Sequence, residues 1–227
     1  MESAHYMANV STAANILFGA MSILLSVMGK YIPAAWIIFF SIVFDIADGK
    51  IARMGTKGFS EFGKQFDSLA DLVSFVVAPS VLVFTYHTPE FFLWRLLVCL
   101  LAIFCGAFRL ARYNTEAEDK IALFFNGLPT PAFGGFVAAN ILVFYRYELV
   151  IEPRFVSITI AILAMLMVSR IQYPTYKDVS LLQWKYIFGF AIIFILLFFV
   201  PELVALVLLS TYIIYIPIRA NIKRGKK

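Results

Sequence analysis

The chain has 227 residues, of which 62% are hydrophobic, and its mean hydropathy is +0.86. Ordinary soluble domains have an apolar share nearer one half, so this composition excludes that class and predicts an integral membrane protein. The net charge of +5 resides in short loops and at the C-terminus. Because these basic residues form no basic domain with interleaved aromatic residues, we expect no nucleic-acid partner.

Apolar runs separated by Gly and Pro turn signals predict an all-α, polytopic membrane bundle of about eight transmembrane helices. That number leaves no room for a sizeable soluble domain, so we expect residues 1–227 to form a single membrane-embedded domain. The residues before the first run lack the basic n-region of a cleaved signal, and we expect the first helix to remain. The predicted spans are Val10–Met28, Pro33–Ala52, Phe66–Tyr86, Phe91–Phe108, Pro131–Tyr145, Phe155–Val168, Tyr186–Val200 and Glu202–Ile218.

The 19 Lys and Arg residues are unevenly divided between the two sides of this predicted bundle. An even number of crossings leaves both termini on one side, and that side also carries most of the basic residues. The positive-inside rule therefore predicts that both termini, and with them residues 45–71, are cytoplasmic. We expect the protein to lie in the cell membrane of a prokaryote. The last helices, within residues 186–218, carry no motif and are expected to be peripheral.

Four aspartates lie near the inner ends of the second and third predicted spans, where an ionisable group is costly unless it has a function. Residues three, four and seven apart share a helix face. The second span therefore presents a stripe of acidic residues and small residues, formed by Asp45, Asp48, Gly49 and Ala52. The third span presents a matching stripe, formed by Gly63, Asp67 and Asp71. If the two stripes face each other, the four carboxylates converge in a metal site.

Ligands that are all carboxylates favour Mg²⁺, Mn²⁺ or Ca²⁺ over zinc. Four negative charges exceed what one ion neutralises, so a cluster of two divalent cations that binds a pyrophosphate is expected. Small residues allow a ligand to approach the backbone, and Arg53 and Lys64 could add charge to phosphate binding. Two alternatives remain open: a salt-bridge cluster with Lys50, Arg53 and Lys64, and the ion pathway of a cation transporter.

These residues form the pattern D45-x-x-D48-G49-x-x-A52-R53, nine further residues, and then G63-x-x-x-D67-x-x-x-D71. The pattern resembles the signature of the CDP-alcohol phosphotransferase family at every fixed position. The resemblance implies a six-helix core, a homodimer, two Mg²⁺ or Mn²⁺ ions, and Asp71 as the general base. It implies metal ligation by Asp45, Asp48, Asp67 and Asp71. It implies nucleotide binding by Asp48, Gly49, Ala52, Arg53, Gly63 and Lys64.

Two later segments bear on the acceptor alcohol. The segments F108-R-L-A-R-Y-N114 and G127-L-P-T-P-A-F-G-G135 are similar to those of integral-membrane CDP-diacylglycerol–serine O-phosphatidyltransferases. A guanidinium matches a carboxylate bidentately, and serine brings such a carboxylate. The predicted serine-binding residues are Arg109, Arg112, Asn114, Asn126 and Thr130. The alternative is that both arginines extend to the membrane interface and that the Gly and Pro residues begin a helix.

The expected reaction is transfer of a phosphatidyl group from CDP-diacylglycerol, or from an archaeal CDP-ether lipid, to the hydroxyl of L-serine. CMP would be the second product. The acceptor could instead be glycerol 3-phosphate or inositol phosphate, as in phosphatidylglycerophosphate or phosphatidylinositol-phosphate synthases. Those acceptors carry a phosphate dianion and would need a more basic pocket. The sequence leaves the type of lipid and the choice between Mg²⁺ and Mn²⁺ open.

Overall fold

The computed structural model describes residues 2–54, 61–86, 91–116, 124–149, 152–174 and 199–224. This part of the chain forms seven helices, which we number α1 to α7. Their bounds are α1 Glu2–Val27, α2 Tyr31–Met54, α3 Glu61–Tyr86, α4 Phe92–Glu116, α5 Thr130–Arg146, α6 Pro153–Val168 and α7 Pro201–Arg224. The all-helical prediction is therefore confirmed for the described residues, apart from one short ribbon. Most of the predicted seventh span, Tyr186–Val200, lies outside them.

Within the described residues, three helices are long and apolar enough to cross a membrane by length and composition. They are Val10–Val27, Glu61–Tyr86 and Phe92–Thr115. Shorter apolar helices occupy Tyr31–Ile46, Pro153–Val168 and Pro201–Tyr215. Large apolar side chains, such as Leu17 on α1 and Phe104 on α4, point outward. Such an apolar exterior suits lipid as the surrounding solvent.

The most enclosed helix is α5, which packs against α2, α3 and α7. Pro129 precedes its first residue and Pro131 lies in its first turn, where a missing N–H costs no helical hydrogen bond. At its other end, Arg146 donates a hydrogen bond of 2.6 Å to the buried Glu202 carboxylate of α7. This ion pair joins the C-terminus of α5 to the N-terminus of α7.

A two-stranded antiparallel ribbon, absent from the sequence prediction, joins two connecting segments. Strand β1 is Phe124–Asn126 and strand β2 is Gln172–Pro174, with Asn126 opposite Gln172. Gly127 follows β1, and its N–H donates to the Ile171 carbonyl at 2.8 Å. The pairing spans 46 positions of sequence, so local patterns do not reveal it.

Gly127 and Gly29 both adopt a positive φ, at 82° and 75°, which favours glycine. A Cβ at residue 127 would lie 2.1 Å from the Met167 carbonyl oxygen, whereas a Cβ at residue 29 would meet open space. We therefore expect Gly29→Ala to cost about 1 kcal/mol of stability, from backbone conformation alone. Gly127→Ala should cost more because it must also displace the α6 terminus. Thermal unfolding in detergent would compare them, and equal losses would contradict this packing.

Candidate active site

Three of the four predicted metal ligands, one from α2 and two from α3, form one cluster. Asp67 and Asp71 are one helical turn apart on α3, so their side chains share a face. Asp45 reaches them from α2, and one carboxylate oxygen from each residue lies within 4.8 Å of the others. Asp48 belongs to α2, but its side chain lies outside the described residues. The convergence of Asp45 with Asp67 and Asp71 is the arrangement that the two stripes predicted.

The donor set fits a hard divalent cation. All three groups are carboxylates, which are the ligands that Mg²⁺, Mn²⁺ and Ca²⁺ prefer. Asp71 Oδ1 is buried and accepts no hydrogen bond within the part of the chain that the structure describes. A buried polar atom is normally paired, and a bound cation would supply the missing partner. This cluster could hold a metal ion.

Arg109 is buried beside this cluster and interacts electrostatically with Asp71. Its Nη1 donates to Thr130 Oγ1 at 3.4 Å, and Thr130 is itself fully buried at the first residue of α5. Its Nε has no partner among the described residues. The guanidinium therefore brings positive charge to the carboxylates and keeps a donor that a ligand could use.

Arg112 binds backbone carbonyls around the ribbon. Its Nη1 donates to Val168 O at 2.8 Å, and its Nη2 donates to Asn126 O at 2.9 Å and Ser169 O at 3.3 Å. The side chain therefore connects α4 to the end of α6 and to β1. Its donors hold these segments in place, which the sequence did not indicate.

Asn114 and Lys64 join the C-terminal end of α4 to α3. Asn114 Nδ2 donates to Ser68 Oγ at 2.8 Å and to Gln65 Oε1 at 3.3 Å. Lys64 Nζ donates to the Asn114 carbonyl at 2.8 Å. Lys64, which the resemblance assigns to nucleotide binding, is therefore in contact with Asn114, which the sequence assigns to serine binding.

The remaining predicted nucleotide-binding residues are only partly described. Gly63 is buried on α3. Gly49, Ala52 and Arg53 belong to the last turns of α2, and their surroundings lie outside the described residues.

A cavity of about 590 Å³ opens beside the ribbon. It is lined by Phe108, Arg112, Asn126, Val168, Arg170 and Gln172. Arg112 and Asn126 were predicted from sequence, whereas Arg170 and Gln172 were not singled out. Arg170 is exposed two residues after α6 ends, and Gln172 is brought there by its pairing with Asn126. The only sequence signal for Arg170 was its position in a basic connection that the positive-inside rule predicts to be cytoplasmic.

Comparison with known proteins shows the family to which the chain belongs. Residues 5–169 match the family model described as CDP-alcohol phosphatidyltransferase. The chain therefore belongs to the CDP-alcohol phosphatidyltransferase family, and it is an integral membrane enzyme of phospholipid synthesis.

The chain is homologous to enzymes that use serine. It is 37% identical over 212 residues to the CDP-diacylglycerol–serine O-phosphatidyltransferase of Helicobacter pylori, covering 91% of this chain and 87% of the relative. It is 31% identical over 173 residues to the enzyme of the same name from Bacillus subtilis, covering 76% and 92%. It is 34% identical over 161 residues to the archaetidylserine synthase of Methanothermobacter thermautotrophicus, covering 70% and 66%.

If the carboxylate cluster binds a cation, Mn²⁺ should stabilise the fold. At a concentration about 100 times the dissociation constant, the gain is about 2.7 kcal/mol. Asp67→Asn should abolish most of this gain because it removes one of three converging charges. Glu61→Gln, which changes an exposed carboxylate in the first turn of α3, is the control and should retain it.

Thermal unfolding of each protein with and without Mn²⁺ measures the difference. An Asp67→Asn protein that is stabilised by Mn²⁺ as strongly as the parent would contradict the site.

Proposed function

We propose that the chain transfers the phosphatidyl group of a CDP-diacylglycerol-type lipid to the hydroxyl of L-serine and releases CMP. The observation that carries this proposal is the convergence of the Asp45, Asp67 and Asp71 carboxylates, together with the interaction of the buried Arg109 with Asp71. An oxygen-ligand cation site suits a pyrophosphate, and an adjacent guanidinium suits an anionic ligand group. The serine-using relatives support the choice of acceptor.

The proposed metal ligands are Asp45, Asp48, Asp67 and Asp71, which would hold two Mg²⁺ or Mn²⁺ ions. Bound divalent cations would neutralise charge on the pyrophosphate and on the departing CMP. The small residues Gly49, Ala52 and Gly63 would line the nucleotide pocket, and Arg53 and Lys64 would bind phosphate oxygens. The bond from Lys64 to the Asn114 carbonyl leaves further Nζ donors for that purpose.

Asp71 is the proposed general base. Its carboxylate accepts the proton of the serine hydroxyl as the hydroxyl oxygen forms a bond to the β-phosphorus. The bond between that phosphorus and the bridging oxygen of CMP breaks, and CMP leaves with the electron pair. A direct displacement needs no covalent enzyme intermediate, and none of the predicted site residues is a Ser, Cys or His nucleophile.

The proposed serine site lies between Arg109 and the cavity beside the ribbon. Arg109 supplies a buried guanidinium that interacts with Asp71, and Arg170 supplies an exposed guanidinium on the cavity wall. Arg112, Asn126 and Gln172 line the same cavity. Thr130 orients Arg109, and Asn114 fixes the end of α4 through Ser68. A zwitterionic amino acid matches this combination of guanidinium donors and amide oxygens.

We further propose that the protein crosses the membrane about eight times around a six-helix core, with helices 186–218 peripheral. Both termini and the active site would face the cytoplasm of a prokaryote. The lipid tails would stay in the bilayer while the nucleotide reaches the aqueous interface. Homodimerisation belongs to the same proposal, and only the resemblance to the family supports it. The substrate lipid would be a diacyl lipid or an archaeal ether lipid, since relatives of both kinds are known.

The decisive assay is CMP release by the purified protein, with CDP-diacylglycerol and a CDP-ether lipid tested in parallel. L-Serine should support turnover in the presence of Mg²⁺ or Mn²⁺, and a chelator should abolish it. Asp71→Asn should lower the rate about 100-fold or more because the hydroxyl proton loses its acceptor.

Each acceptor gives a distinct outcome in that assay. Turnover only with glycerol 3-phosphate or inositol phosphate would contradict the assignment of serine. A protein that releases no CMP with any acceptor, but conducts cations through vesicles in an Asp71-dependent manner, would favour the transporter alternative.

Arg170→Gln tests the cavity as the serine site. The change removes a charged donor whose hydrogen bond is worth about 1.5 to 3 kcal/mol, so the KM for serine should rise about tenfold or more. The KM for the CDP-lipid should stay the same. Arg154→Gln, at the opposite end of α6, is the matched control and should leave both values unchanged. An unaltered serine KM in the Arg170→Gln enzyme would exclude this cavity.

A further inference from the structure

The helix that carries Asp67 and Asp71 changes its winding immediately after them. Residues Val73–Val77 form a π-helical turn, and the Ala78 N–H donates to the Val73 carbonyl five residues earlier. Pro79 gives a local reason for the wider turn, because a proline ring in an α-helix clashes with the carbonyl four residues before it. Single π turns in helices occur often at functional sites.

Three glycines from three other helices contact three consecutive residues of this turn. Gly19 of α1 faces Ser74, Gly134 of α5 faces Phe75, and Gly106 of α4 faces Val76. Added Cβ atoms would lie 2.5 Å from Ser74 Oγ, 2.9 Å from Phe75 O and 2.7 Å from both Val76 methyl groups. Each distance is too short for a real contact. The π turn is therefore enclosed by backbone on three sides.

The Gly19 contact also fixes a hydrogen bond. Ser74 Oγ donates to the Asn15 carbonyl on α1 at 2.7 Å, and both residues are buried. Residue 19 lies one turn beyond residue 15, so a side chain at this position would occupy the space of the hydroxyl. Contacts with α1, α4 and α5 thus determine the rotation of the turn about the α3 axis.

We propose that Gly19, Gly106 and Gly134 are positioning residues that aim Asp67 and Asp71 at Asp45 by holding this π turn. The inference rests on the metal site of the proposed function. An α-helix advances about 100° per residue, so one extra residue in a turn rotates everything before it by about a quarter turn relative to everything after it. Without the π turn, the carboxylates of α3 would be rotated by about a quarter turn from their present alignment with Asp45.

Gly134→Ala and Gly135→Ala form a matched pair for the test. The first change sets a methyl group against the Phe75 backbone, which cannot rotate away. The methyl group of the second change meets only the ends of the Ile42 and Leu209 side chains, which can rotate away. We expect Gly134→Ala to weaken Mn²⁺ binding about tenfold or more, as changes that misorient metal ligands do. Gly135→Ala should bind Mn²⁺ as the parent does.

Mn²⁺ binding is measured on purified, monodisperse protein by electron paramagnetic resonance, without substrate. A purely structural role would lower the folded fraction but leave the affinity of the folded protein unchanged. Because the readout needs no turnover, a parent that binds Mn²⁺ but does not use serine would overturn only the proposed function.

Gly106→Ala provides a second test with a built-in rescue. Its methyl group would collide with the two γ-methyl groups of Val76, and Val76→Ala removes both. We expect Gly106→Ala to weaken Mn²⁺ binding and the double variant to restore it. If Gly134→Ala does not fold, this pair decides. Parental Mn²⁺ affinity in folded Gly106→Ala protein, or no recovery in the double variant, would overturn the proposal.

Discussion

Three carboxylates held within 4.8 Å of one another repel, and the surrounding structure must oppose that repulsion. Two like charges this close repel by roughly 3 to 4 kcal/mol in a medium of intermediate polarity. Arg109 offsets part of this cost from α4, and a divalent cation would offset the rest. The site therefore combines an energetically unfavourable arrangement of charge with carboxylate ligands that favour a divalent cation. This balance is consistent with the pyrophosphate lipid that we propose as the substrate.

The helices around the cluster hold it from two directions. C-terminal to Asp71 on α3, the glycines of α1, α4 and α5 contact the π turn at backbone distance. Near the N-terminus of α3, Asn114 and Lys64 join α4 to α3, and Arg112 connects α4 to the ribbon. The helix α4 thus carries both the charge that interacts with Asp71 and two of the residues that line the cavity, Phe108 and Arg112. The metal site and the proposed acceptor site are therefore connected through α4.

The sequence predicted the features that depend on helical periodicity. The spacing of Asp45, Asp67 and Asp71 predicted two facing stripes, and hydropathy predicted the helices that bear them. It did not predict the ribbon, because Asn126 and Gln172 meet only through tertiary contact. The role of Arg112 was missed for the same reason, since its carbonyl partners lie on distant segments. The serine roles of Arg109 and Asn126 remain predictions. The contacts of Gly134 were not predicted either, because Gly134 meets Phe75 in the π turn only through tertiary packing.

The most direct test is a diffraction experiment on crystals of this protein grown with Mn²⁺ and CDP-diacylglycerol. Anomalous scattering locates the metal independently of any assumed mechanism. Our account predicts two peaks bonded to carboxylate oxygens of Asp45, Asp67 and Asp71, with the pyrophosphate of the lipid bound to the same ions. Peaks elsewhere, or a nucleotide bound with no metal between it and these aspartates, would contradict the account.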